Sequence, residues 1–346
     1  MKKHFIITMA SVLMLVGSGQ VMAGTQYKIT DLGSLGGGES QARGINSSGQ
    51  VVGESYTANY AQHAFLYTGT TMKDLGTLAG NYSWASSINN SGQVVGESSG
   101  NYADHAFLYN GVSMQDLGSL SNFSQARGIN SSGQVAGATG VPGYDNTHAF
   151  LYTDTTMKDL GTLGGSWSCA YGINDSGQVV GGSYTTGDSA EHAFLYDGTT
   201  MKDLGTLGGT QSDALGINNY GQVVGYSENH AFLYDGTTMK DLGTLGGGGS
   251  YAYGINDSGQ VVGQSWTGNN AMHAFLYDGT TMKDLNALLP TGSGWELSEA
   301  CGINDLGQIA GTGSINGANH AFLLTPIPEP ATLFLLTLGG LILRKR

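Results

Sequence analysis

Apolar and polar positions along the chain recur as one unit. It reads S-x-A-x-G-I-N-x-S-G-Q-V-V-G, then a variable stretch, then H-A-F-L-Y-x-G-x-x-M-K-D-L-G-T-L. The apolar runs are short, rich in Val, Ile, Phe and Tyr, and bounded by Gly, Asn, Ser and Asp, which is the signature of strands. Each unit predicts four of them: strand a is S-x-A-x-G-I-N, strand b is Q-V-V-G-x-S, strand c is H-A-F-L-Y and strand d is M-K-D-L-G. The a–b link is Asn-x-Ser-Gly, first at Asn46 to Gly49, where glycine supplies the positive φ of a tight hairpin. The c–d link is Asp-Gly at Asp197-Gly198, Asp235-Gly236 and Asp278-Gly279, again a hairpin signal. No run inside the repeats has the helical period.

The isoleucine of G-I-N falls at Ile45, Ile88, Ile129, Ile173, Ile217, Ile255 and Ile303, seven times at spacings of 38 to 48 residues. Four strands in about 43 residues make the blade of a β-propeller, so an all-β, seven-bladed propeller is expected. The order of the pieces predicts closure. Tyr27 to Gly33 is a strand d with no strands before it, and His320 to Leu324 is a strand c with no strand d after it. The orphan first strand would complete the last blade and remove the open edges that invite aggregation. A β-solenoid, the alternative, does not need ends that complement each other.

Both extremes of the chain depart from the repeat. Lys2 and Lys3 precede the apolar run Phe5 to Gly17, and Val21-Met22-Ala23 fits the small-residue rule for leader cleavage. Residues 1–23 are therefore read as a signal peptide. At the other end Pro328, Glu329 and Pro330 precede a mostly apolar segment, 331–343, and then Arg344, Lys345 and Arg346. A spanning helix needs about 20 apolar residues, so this one is short, and the prolines hardly extend it backwards. The basic end is expected to stay cytoplasmic.

Residues 326–346 resemble the PEP-CTERM sorting signal in its three parts: a Pro-Glu-Pro motif, an apolar segment and a basic end. The resemblance implies transient anchoring through 331–343 and recognition by an exosortase-type membrane protease of Gram-negative bacteria. It further implies removal of the tail near Pro328 to Pro330, and delivery to the cell surface or extracellular matrix. Between the two signals, residues 24–325 are similar to the HAF-repeat family of extracellular proteins, a resemblance that implies location rather than activity.

Composition narrows the partners. Hydrophobic residues make up 40% of the chain and charged ones only 11%, which does not suit disorder. Five of the 13 basic residues sit at the two extremes, while 25 of the 26 acidic residues lie between them. Such a surface repels nucleic acid and anionic membranes. Cys169 and Cys301 occupy different positions in non-neighbouring repeats, so no disulfide is expected and both are read as small core residues.

The repeated ionisable positions are read as structural. The H-A-F histidines (His63, His105, His148, His192, His230, His273 and His320) sit on strand c, third from the axis. Strands stand about 4.8 Å apart, so equivalent histidines are too distant to converge on a metal; each is expected to pin the start of its strand by a hydrogen bond. The glycine runs, such as Gly36-Gly37-Gly38, have no helix after them and are read as flexible connections, not phosphate loops. Asp175, Asp257 and Asp305 in the a–b turns are read as turn residues, not calcium ligands. No Ser-His-Asp or Cys-His set and no cofactor motif stands out.

Positions that break the repeat carry more information. The b–c and d–a links share one face, vary in length and are rich in aromatic residues. Candidate ligand-binding residues are Tyr56, Tyr82, Trp84, Tyr102, Trp167, Tyr184, Trp266 and Trp295, because amphipathic rings suit sugars or partner proteins. Rings that cover blade tops or fill gaps left by glycine are the competing explanation. One position in strand a also varies: Arg43, Ser86, Arg127, Tyr171, Leu215, Tyr253 and Cys301. Strand a should be innermost, which puts these side chains near the channel. The two arginines suit an acidic ligand group, although pairing with surface carboxylates is the simpler reading.

The expected function is an exported, non-enzymatic binding or structural protein of the surface or matrix, contacting exopolysaccharide or surface proteins. Two alternatives are a polysaccharide lyase or hydrolase, for which Glu296 and Glu299 are the only candidate carboxylate pair, and a protein-docking propeller.

Overall fold

The computed structural model describes residues 26–99, 103–143 and 146–328. The leader, Tyr102 and the sorting residues from Glu329 to Arg346 lie outside the described residues. The chain forms seven four-stranded antiparallel sheets in a ring, each with strands in the order a-b-c-d. This is the all-β seven-bladed propeller that the repeat predicts. The first complete blade runs through Gly36–Ile45, Val51–Thr57, Gln62–Tyr67 and Met72–Asp74.

The ring closes as the orphan strands require. Strand d of the last blade is Tyr27–Asp31, paired beside Ala318–Pro326 with Tyr27 opposite Pro326 and Asp31 opposite Phe322. Pairing thus reaches Pro326, and Ile327 N–H donates to Gln26 O at 2.9 Å. The outer strands are short, only three residues in several blades, which limits their use as templates for edge pairing.

Apolar packing lies between blades. The H-A-F phenylalanines are fully buried in all seven repeats, among them Phe65, Phe107 and Phe322. Phe107, for example, packs with Val52 and Ala64 of the preceding blade. Each such ring contributes about 1.5–3 kcal/mol by leaving water. The polar repeat positions bind blade to blade as well. The serine of S-x-A accepts an N–H from strand c of the preceding blade, as in Ala64 N to Ser83 Oγ at 2.8 Å, and Ser40 closes the ring by accepting from Ala321.

The turn asparagines form the most complete belt. Asn46 Oδ1 accepts from Ser48 and Gln50 N–H, folding its own turn. Its amide donates at 3.1 Å to the Asn89 carbonyl in the next blade. The same bond steps from Asn89 to Asn130, Asn174, Asn218, Asn256 and Asn304, and then from Asn304 back to Asn46. Seven side chains thereby satisfy buried carbonyls around a closed circle.

Each histidine pairs with the aspartate of strand d in its own blade, from His63–Asp74 to His273–Asp284, at 2.6 to 2.9 Å. The seventh pair, His320–Asp31 at 2.9 Å, joins the two ends of the ring. The structural role expected for the histidines is therefore a link from strand c to strand d. Among the described residues no group of three or more His, Cys, Asp or Glu side chains is arranged to hold a metal ion.

The glycine runs differ from expectation. In three blades they are not flexible connections but the first residues of long strands, Gly36–Ile45, Gly164–Ile173 and Gly246–Ile255. Close approach of the neighbouring strand explains the composition: a Cβ on Gly37 would stand 2.5 Å from the Thr57 carbonyl oxygen and from Cβ of Tyr56. Only a residue without a side chain lets the two strands pass so close.

Candidate ligand site at the mouth of the axial channel

Strand a carries the same irregularity in every blade. Its register against strand b slips by one residue after the repeated alanine, as between Ala42 and Gly44 or Ala126 and Gly128. The extra residue is the variable one, and a bulge of this kind re-aims a side chain. Arg43, Ser86, Arg127, Tyr171, Leu215, Tyr253 and Cys301 all line the axial channel as a result. Strand b pays for the bend with a glycine: a Cβ on Gly137 would meet the Gln125 carbonyl oxygen at 1.9 Å.

The channel has two unlike ends. The narrow end is a space of about 190 Å³ inside the asparagine belt. The wide end, on the face of the b–c and d–a links, opens into a hollow of about 590 Å³ lined by the bulge residues together with Gln41, Glu54, Gln62, Trp84 and Glu299. That volume lies in the range of small-molecule sites.

Charges in the mouth are not arranged symmetrically. Arg43 binds Glu54 at 2.8 Å and lies 3.7 Å from Glu299. Its partner is thus a buried carboxylate inside the channel and not the surface carboxylate expected. Arg127 occupies the equivalent position two blades on, and among the described residues its side chain makes one hydrogen bond, to Gln125 Oε1 at 2.7 Å. Its Nε is buried without an acceptor, and no carboxylate lies within salt-bridge distance among the described residues. Strand b explains the difference, because Glu54 in the first blade is replaced by Ala138 in the third.

Burial pushes the Glu97 carboxyl up to about 7, with Arg127 pulling against it and Asp104 adding to it. Burial likewise raises Asp213, against the bond donated by Tyr226 at 2.6 Å. Cys301 donates to Glu299 at 2.7 Å and lines the mouth, so it is not the small core residue expected. Cys169 is buried, and burial raises its thiol to about 11; both cysteines are free.

The candidate aromatic residues fall into separate groups. Most sit at strand ends instead of in loops, because strands a and b extend past the repeated motif. Trp84 is 37% exposed, lines the mouth, and has Tyr82 beside it at 5.4 Å between ring centres. Tyr56, Tyr184 and Trp266 lie over the glycine strands. Trp167 pairs with Tyr184, and Trp266 with Tyr251. Trp295 packs into the core against Phe322. Glu299 lines the mouth whereas Glu296 is exposed and does not, so the two do not share the hollow.

The sequence did not single out Glu54, which lines the channel, or Glu97, its buried counterpart near Arg127. Their position after V-V-G varies through Glu54, Glu97, Ala138, Gly182, Tyr226, Gln264 and Thr312, and comparing the seven copies at that column would have found it.

The geometry defines a closed seven-bladed propeller with a non-repeating axial mouth. No family model matches the chain, and no curated protein matches it in sequence. Among solved structures, a puromycin-hydrolyzing peptidase of Mycobacterium tuberculosis is similar with a TM-score of 0.52 and 9% identity, over 83% of this chain and 49% of that one. TolB from Acinetobacter baumannii gives a TM-score of 0.46 and 12% identity over 81% and 64% of the two chains. The BP39L lectin from Burkholderia pseudomallei gives 0.46 and 7% over 88% and 98%. The chain thus spans about half to two thirds of the peptidase and TolB. At these identities the likeness concerns the fold alone.

Proposed function

We propose that the protein is an exported, non-enzymatic binding component of the bacterial surface or matrix, and that its wide face engages a glycan. One observation carries this reading. Positions that repeat seven times are occupied in the fold, by the asparagine belt, the His–Asp pairs and the buried phenylalanines. Side-chain variety is concentrated in the mouth, where Trp84, Arg127, Tyr171 and Tyr253 surround one hollow. An aromatic rim above polar groups suits a sugar ring and its hydroxyls. The leader and the PEP-CTERM-like tail supply the destination, with an exosortase-type protease as the processing partner.

The mouth carboxylates do not favour hydrolysis. Glu54 is held by Arg43, and Glu299 is shared between Arg43 and Cys301; general acid–base work needs a pair free to exchange protons with one bond. The test mixes the full-length protein with polysaccharide from the producing organism and reads co-sedimentation and new reducing or unsaturated ends in one tube. Co-sedimentation without new ends is expected. New ends would make it an enzyme, and absence of both would leave a protein partner as the better reading.

A further inference from the structure

Resting on the wide-face reading, we infer that the mouth selects a glycan bearing an isolated carboxylate, such as a single uronate, and that Arg127 receives it. A guanidinium offers five donors in a planar fork that matches a carboxylate. Arg127 spends one within the chain, on Gln125, and keeps a buried Nε–H without an acceptor. Arg43 shows what the same bulge position does when satisfied, since Glu54 reaches it at 2.8 Å. The third blade offers Ala138 where the first offers Glu54, and Glu97 of the second blade, close enough to feel the charge of Arg127, forms no salt bridge with it, which leaves the guanidinium fork open to a carboxylate from outside the fold.

Room and a platform accompany the charge. Arg127 lines the same 590 Å³ hollow as Trp84, Tyr171 and Leu215. Trp84 offers an exposed indole for a sugar ring. The overall charge limits the ligand further. A chain of net charge −13 repels a polyanion, so one carboxylate on a neutral glycan fits where a polyuronate does not.

Calorimetric titration of the full-length protein tests this with two probes of similar length: glucuronoxylotriose, which carries one uronate on three neutral xylose units, and neutral xylotetraose. The acidic probe is expected to bind the wild type about tenfold or more tightly than the neutral one, as one charge-assisted bidentate contact would give. Arg127→Gln should remove that preference, the acidic probe falling to the affinity that the same variant shows for xylotetraose. Ala138→Glu should do the same by giving Arg127 an internal partner, and circular dichroism would confirm that either variant is folded. Equal binding of both probes to the wild type, or a preference that survives both variants, overturns the carboxylate assignment and leaves wide-face glycan binding standing. No binding of either probe overturns both.

Discussion

The two ends of the axial channel are built from the same seven strands and turned to opposite ends. At the narrow end one asparagine does one job seven times, and the belt from Asn46 back through Asn304 leaves no position free to vary. At the wide end the bulge holds Arg, Ser, Arg, Tyr, Leu, Tyr and Cys in turn. A group that must reach its neighbour blade is fixed by geometry. A group that points into open space is constrained only by what enters that space. The narrow end is therefore scaffold, and the wide end is where a binding specificity can be written without disturbing the ring.

Four substitutions break or sharpen that contrast, from the largest expected effect to the smallest. Gly137→Ala drives a Cβ into the Gln125 carbonyl that the bulge pushes over it. A cost of about 3 kcal/mol or more is expected, because backbone and not a flexible side chain must yield; chemical denaturation checks it. Asn130→Ala opens the belt, leaving the Asn174 carbonyl with the Gly177 N–H alone and the Gln134 N–H without its acceptor. About 2–3 kcal/mol should be lost on the same assay, with glycan affinity of the folded fraction unchanged.

Glu97→Gln sharpens the contrast just behind the mouth, near Arg127. The Glu97 carboxyl rises from 4.5 to about 7 because burial disfavours its charge, against the pull of Arg127 and with Asp104 adding to the rise. The folded chain then holds this proton more tightly than the unfolded one. Its contribution is fully present below pH 4.5 and is lost as pH rises through 7. The glutamine variant should match wild type at low pH and exceed it at pH 8 by about 1 kcal/mol or more. Melting curves at several pH values that stay parallel would refute this. The smallest effect is expected from His148→Ala, about 0.5–1 kcal/mol, since its pair with Asp159 is partly exposed.

Legibility in the sequence follows the same division. The blade count, the closing strand and the axial column from Arg43 to Cys301 could be read because they follow from strand order and period. The histidine role could be read as structural, but its partner, 11 residues on in strand d, depends on register. The asparagine belt was hidden, because Asn46 looks like an ordinary turn residue until closure sets Asn89 beside it. The glycine runs misled for a related reason: glycine signals freedom in a loop and close approach in a strand, and only the position of the neighbouring strand at Tyr56 and Thr57 decides between them. The Arg43–Glu54 pair was concealed by the bulge, which shifts strand a by one residue and brings 43 toward 54.

The most direct measurement of the central contrast reads glycan retention and Tm in parallel for Trp84→Ala with Arg127→Gln and, separately, for Asn130→Ala. The account predicts that the mouth variants lose retention and keep the wild-type Tm, whereas the belt variant loses Tm and retains glycan while folded. Retention lost equally at both ends of the channel, or lost only with the belt, would contradict it.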